Sequence, residues 1–166
     1  CLLAVAAHKD ARAELMTNLQ ADVQRHEDFY MYNYRLTNLS SSDLNVIALS
    51  IDVSIDAALF DSFEPSGWVY SYLPGAPIVA WESPDPLFDL MPGGTFMFGF
   101  TSQLGPDLRP YVVLGIDELG FEFDFNTVTV FSPAAMPVPD PKSLLCCTLW
   151  LMWFLISSIR TSQISR

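Results

Sequence analysis

Cysteine is scarce in this chain and confined to its two ends. Cys1, Cys146 and Cys147 are the three present, so the long stretch between the first and second has no disulfide of its own. That stretch must be held by packing alone. The adjacent Cys146-Cys147 pair reads as apolar filler, since no histidine or second pair stands near it to complete a metal site. Positive charge is equally thin. Between residues 15 and 137 the basic residues are Arg25, Arg35 and Arg109, while the whole chain carries a formal net charge of −11. Such a surface cannot neutralise a phosphate backbone, which excludes nucleic acid as a partner. Histidine is limited to His8 and His26. A Ser–His–acid triad in the central region would have to centre on His26, which reads as a surface residue between Arg25 and Glu27. A zinc site fails for want of ligands, and no cofactor is implied.

What the middle has in quantity is aromatic and β-favouring residues separated by Pro, Gly, Asn and Asp. Residues 29–37 read as a strand with Tyr30, Tyr32, Tyr34 and Leu36 on one face and Asn33 and Arg35 on the other. The cluster Asn38-Leu39-Ser40-Ser41-Ser42-Asp43 ends it, and a second strand over 44–54 returns. There Ile47, Leu49, Ile51 and Val53 alternate against Val46, Ala48, Ser50 and Asp52. Further strands are expected over 68–72, 78–82, 95–101, 111–117 and 121–131. Gly99, inside Phe96-Met97-Phe98-Gly99-Phe100, marks a bulge or a close backbone approach. Seven or eight short strands without a helical period predict an antiparallel β-sandwich, Ig-like or jelly-roll-like, with one hydrophobic helix after it.

Acidic residues offer two chemical readings. Glu122-Phe123-Asp124-Phe125 puts two carboxylates on one strand face, as in some jelly-roll glycoside hydrolases. The third acid such sites need does not follow, and core-facing Phe121, Phe123 and Phe125 explain the alternation. Asp52, Asp56, Asp85, Asp89, Asp117 and Glu118 stand in or beside loops where calcium could bind, but no spacing matches an EF-hand or a nonapeptide repeat. Trp68, Tyr70 and Tyr72 would suit sugar stacking where exposed, although alternation sends half of them into the core.

The ends carry the addressing. Cys1-Leu2-Leu3-Ala4-Val5-Ala6-Ala7 resembles the tail of a signal-peptide apolar region. Ala11-Arg12-Ala13 fits a small-x-small cleavage site, so residues 1–13 form a leader with a truncated start and the mature chain begins at Glu14. A short apolar strand or helix is the alternative, and a lipid-modified Cys1 is disfavoured by the Leu and Ala that follow it. At the other end, a proline-rich linker over 134–143 leads into an uncharged run from Leu144 to Ile159, followed by a tail over 160–166 with Arg160 and Arg166 and no acid. At 1.5 Å per residue the run covers about 24 Å against a hydrocarbon core of roughly 30 Å. A short transmembrane anchor with a cytoplasmic basic tail follows, a buried core helix being the alternative.

Taken with Val138-Pro139-Asp140-Pro141, this tail resembles that of the bacterial PEP-CTERM proteins, whose Val-Pro-Glu-Pro box precedes a short apolar helix and an arginine-rich end. Asp140 stands where glutamate is usual in that box. The ectodomain is similar too. Tyr32-Asn33-Tyr34-Arg35-Leu36-Thr37-Asn38-Leu39-Ser40, Trp81, and Met91-Pro92-Gly93-Gly94-Thr95 with Gly99-Phe100-Thr101-Ser102 resemble strands of small domains in this group. The resemblance implies export in a Gram-negative bacterium and an inner-membrane precursor. It further implies processing by an exosortase, an integral-membrane protease, and display at the cell surface or in an extracellular matrix rich in polysaccharide. The expected function is a non-catalytic structural or binding domain over 14–133. The alternative is a secreted carbohydrate-binding or carbohydrate-active protein using the same anchor.

Overall fold

The computed structural model describes residues 13–117 and 123–134, with backbone alone for 123–127. The expected leader up to Arg12 and the sorting box, apolar run and arginines beyond residue 135 lie outside the described residues. So do Glu118 and Glu122. Among the described residues no helix is long and apolar enough to cross a membrane.

Among the described residues nine strands make two antiparallel sheets. Sheet A holds β1 (Thr17–His26), β2 (Phe29–Asn38), β7 (Thr95–Ser102) and β4 (Leu59–Phe63), in that order. Sheet B holds β5 (Val69–Tyr72), β6 (Ile78–Glu82), β3 (Asn45–Asp52), β8 (Pro106–Ile116) and β9 (Phe123–Pro133). Among the described residues only a 3-10 turn at Pro86–Phe88 interrupts the β structure. The chain changes sheet repeatedly, and the hairpins β1–β2, β5–β6 and β8–β9 are its local pairings.

The core is the aromatic alternation seen in the sequence. Tyr32, Tyr34 and Leu36 of β2 are fully buried, as are Phe98 of β7 and Trp81 of β6. Trp81 lies parallel to Phe100 at 6.1 Å between ring centres and tilts against Phe98 at 5.5 Å. These rings bind the two inner sheet faces by area burial, with the offset geometry aromatic pairs favour. Two Pro-Gly turns shape the ends. Pro74-Gly75 and Pro92-Gly93 place proline before a glycine at φ 84° and 83°, and Ala76 and Gly94 donate back to Leu73 and Met91. This is the type II turn, which requires positive φ at its third residue.

The structure departs from the sequence reading in three places. Among the described residues there are nine strands where seven or eight were expected: β1 and β4 are additional, and β8 begins five residues early, at Pro106. On β3 the register with β8 slips between Val46 and Ala48, a bulge that turns Val46 inward together with Leu49, Ile51 and Val53. At Gly99 the β2–β7 pairing runs on without a slip, so this glycine serves close approach and not a bulge. The irregularity lies on the neighbouring β4, between Phe60 and Phe63, where Asp61 takes φ 49°.

Candidate binding face

The outer face of sheet A is built from the residues that alternate with the core. On β1, Leu19 is buried while Gln20, Asp22 and Gln24 point to solvent. On β2, the counterparts of Tyr32 and Tyr34 are Met31, Asn33 and Arg35. Register then sets rows across the strands. Asp22 pairs with Asn33, Asn33 with Gly99, and Gly99 with Phe63. Beside that row, Gln20 pairs with Arg35 and Arg35 with Met97. With strands about 4.8 Å apart, the four-strand row is roughly 14 Å long.

A shallow cleft of about 490 Å³ opens here, lined by Gln20, Ala21, Asp22, Asn33, Arg35 and Met97. Gln24 donates its side-chain amide to Asp22 at 2.8 Å, which orients the carboxylate. Arg35 is exposed and forms no ion pair among the described residues. At the far end of the row Phe63 lies against the sheet over Gly99: a Cβ there would sit 2.2 Å from the ring's Cε1 and 2.5 Å from the Tyr32 carbonyl oxygen. Phe60 continues the apolar strip, edge-on to Phe29 at 6.3 Å, and His26 stacks on Phe29 at 5.4 Å. Phe60 and Phe63 remain 39% and 38% exposed, comparable to Phe88 at 39% and Phe131 at 48% elsewhere on the surface.

The residues singled out from sequence fall elsewhere. Trp68, Tyr70 and Tyr72 are no sugar platform. Trp68 is buried and donates its indole N–H to the Phe88 carbonyl at 2.7 Å. Tyr70 and Tyr72 pack against the core, and burial, with Tyr72 and Glu64 nearby, pushes the Tyr70 hydroxyl up to about 12. Residue pattern was the reason: β5 turns its even positions inward, and these aromatics occupy them. Asp85 and Asp89 flank the 3-10 turn, where Asp85 accepts from the Leu87 amide at 3.0 Å and Asp89 accepts from the Ser83 hydroxyl at 2.7 Å. Among the described residues no group of three or more His, Cys, Asp or Glu is placed to hold a metal. Asp124 sits in register with Gly115, and its side chain lies outside the described residues. Of the two expected cleavage residues, Ala11 lies outside the described residues and Ala13 packs partly buried against the core. Just after it, the Glu14 amide donates to the Asp43 carboxylate at 3.3 Å, and Glu14 accepts from the Asp43 amide at 3.0 Å.

The face itself was not foreseen as a site. Its signal was present in the alternation of Gln20, Asp22 and Gln24 with Leu19, Ala21 and Val23.

No protein-family model matches the sequence, and no curated protein does either. Several solved structures are similar in strand arrangement. One is a GH20 exo-β-N-acetylglucosaminidase from Vibrio harveyi, at TM-score 0.45 and 12% identity over 75% of this chain. This chain spans 19% of that enzyme. ACE19, the collagen-binding subdomain of the Enterococcus faecalis surface protein ACE, is similar at TM-score 0.41 and 10% identity, over 71% of this chain and 96% of that one. The Fcho1 Mu homology domain of Danio rerio, solved with an Eps15 peptide, matches at TM-score 0.40 and 14% identity over 70% of this chain and 48% of that one. No residue of the cleft is carried over from any of them.

Proposed function

We propose that this chain is an exported surface or matrix protein whose sandwich binds a partner through the outer face of sheet A and performs no catalysis of its own. The observation that carries the binding role is the juxtaposition, on one exposed sheet face, of a carboxylate, a guanidinium, two amides and two uncovered aromatic rings. Polar groups that converge beside apolar area are what a recognition site needs. The addressing rests on the sequence: the box Val138-Pro139-Asp140-Pro141, the apolar run to Ile159, and Arg160 with Arg166 stand in the order of a PEP-CTERM tail. In this reading the leader directs export and is cut after Ala13. The new ammonium of Glu14 then meets the carboxylate of Asp43. The tail holds the precursor in the inner membrane until an exosortase-type protease cuts near the box and releases the domain.

Expression of the full chain in an exosortase-bearing host and in one without it tests both halves. The expected result is an intact mass that loses the residues beyond the box only where exosortase is present, with the product retained in the surface or matrix fraction. A variant combining Asp22→Ala with Arg35→Ala should be processed identically and wash free of that fraction. Unchanged mass in both hosts would sink the sorting role, and unchanged retention of the variant would sink the binding face.

A further inference from the structure

We infer that the occupant of this face is an uncharged polysaccharide strand, laid across sheet A along the row Phe63, Gly99, Asn33 and Asp22; the inference rests on the binding role proposed above. A sugar ring offers C–H groups on its faces and hydroxyls around its rim. The row offers the matching pair of surfaces. Phe63 presents an aromatic ring, whose negative face attracts C–H groups, at one end. Asn33 and Asp22 present planar donors and acceptors at the other, with Gln20 and Arg35 in the adjoining row. A carboxylate and a guanidinium each engage two neighbouring groups at once, which suits adjacent hydroxyls. Gly99 makes the apolar end possible, since any side chain there would displace Phe63.

Charge separates this ligand from the alternatives. Asp22 and Arg35 balance each other within the cleft, while the chain as a whole carries −11. An anionic polysaccharide would meet general repulsion and a single compensating cation. A peptide bound by strand addition would use a sheet edge, and the cleft lies on the sheet face, where Ala21 and Met97 are its only apolar lining. An uncharged, hydroxyl-rich chain is left.

The test is affinity electrophoresis and calorimetry on the full chain, kept in mild detergent, with dextran, mannan, galactan and cello-oligosaccharides as neutral probes and alginate as the anionic one. Saturable binding to at least one neutral probe is expected, insensitive to salt. Asp22→Ala and Arg35→Ala, both exposed and free of core contacts, should each weaken it by roughly tenfold or more. Glu82→Gln, on sheet B, should leave it unchanged. Binding to alginate alone, lost in the same two variants, would overturn the ligand class while keeping the face. Neutral binding that survives both substitutions would overturn the face. No binding to any neutral probe would overturn the inference and leave export and processing to be judged by their own experiment.

Discussion

The side-chain amide of Asn38 donates to the backbone carbonyl of Leu90 at 2.9 Å. Its second hydrogen goes to the carbonyl of Leu44 at 2.8 Å, and the residue is fully buried at the end of β2. Leu90 in turn bridges Val46 at the start of β3. One side chain thus ties sheet A to both the loop entering β3 and the segment entering β7. The Asn38 backbone completes the clamp, donating to Gly94 and accepting from Gly93. The two sequence motifs that resembled strands of one domain group, around Thr37-Asn38 and Pro92-Gly93-Gly94, are therefore one structural unit.

Asn38→Ala removes two buried hydrogen bonds while the Leu90 carbonyl keeps the Val46 amide and the Leu44 carbonyl keeps the Ser42 hydroxyl, so a loss of about 1–3 kcal/mol is expected. Asn38→Asp tests the direction of the bonds. Its carboxylate would face two carbonyl oxygens, so it should be at least as damaging despite its matching shape. Denaturant melts of both variants check this. An aspartate variant as stable as the parent would mean that volume at this site matters and hydrogen bonding does not.

Gly99→Ala is predicted to destabilise by about 1–3 kcal/mol, the usual cost of overpacking. The added carbon would lie 2.2 Å from Phe63 Cε1 and 2.5 Å from the Tyr32 carbonyl oxygen. A ring can swing away and a central-strand carbonyl cannot. Combining Gly99→Ala with Phe63→Ala should therefore rescue only part of the loss, in a double-mutant cycle read by thermal melting. Full rescue would show that the ring is the whole obstacle.

Much of the interior was legible in the sequence because period-two alternation is strong where side chains are large. Tyr32, Tyr34 and Leu36 declared the inner face of β2, and that face fixed Asn33 and Arg35 outward. β1 was missed for the opposite reason. It alternates equally well, but Leu19, Ala21, Gln20, Asp22 and Gln24 have little intrinsic preference for strands. With β1 unseen, Gln20 and Asp22 had no sheet to join, so the cleft could not be assembled. The start of β8 carries Pro106 and Pro110, and proline, lacking an N–H, is a poor strand signal. Both are tolerated because β3 pairs with β8 only from Tyr111 onward, so no ladder bond is asked of them on that side. β4 was hidden by the bulge at Asp61, whose extra residue disrupts the alternation between Phe60 and Phe63.

Asp89 links stability to acid pH. Burial raises its pKa above the ordinary 3.8, the Ser83 hydrogen bond pulls it down, and neighbouring Asp85 raises it again. The native state then holds its proton more tightly than the unfolded chain does. Stability from this group falls as pH rises from 3.8 through the native value, and at neutral pH the charge has no cation beside it among the described residues. Asp89→Asn keeps an acceptor for Ser83 and removes the charge. The variant should melt higher than the parent at pH 7 and lose that advantage below pH 4, as followed by thermal melts across pH. A variant less stable at neutral pH would show that the carboxylate's bond to Ser83 outweighs its desolvation.

At the other extreme, the buried tyrosines set the alkaline limit. Tyr32 donates to the carbonyl of Leu104, in the loop between β7 and β8, at 2.7 Å, and Tyr34 to the Phe131 carbonyl of β9 at 3.0 Å, which joins sheet A to sheet B. Burial raises both hydroxyls above the ordinary value of 10, and each neighbouring tyrosine, Tyr30 for Tyr32 and Tyr32 for Tyr34, adds to it. The unfolded chain loses these protons first. Stability is therefore whole below pH 10 and falls as pH climbs beyond it. Tyrosine ionisation, followed by ultraviolet absorbance, should accordingly bring in Tyr32 and Tyr34 only together with cooperative loss of the sheet signal in circular dichroism. Tyr34→Phe loses about 1 kcal/mol at neutral pH with its hydrogen bond. It should nonetheless unfold over a shallower alkaline range, having one fewer proton to release. If all six tyrosines titrated in one phase near 10 with the sheets intact, the two hydroxyls would be reachable by water, and neither bond would be closing the sandwich.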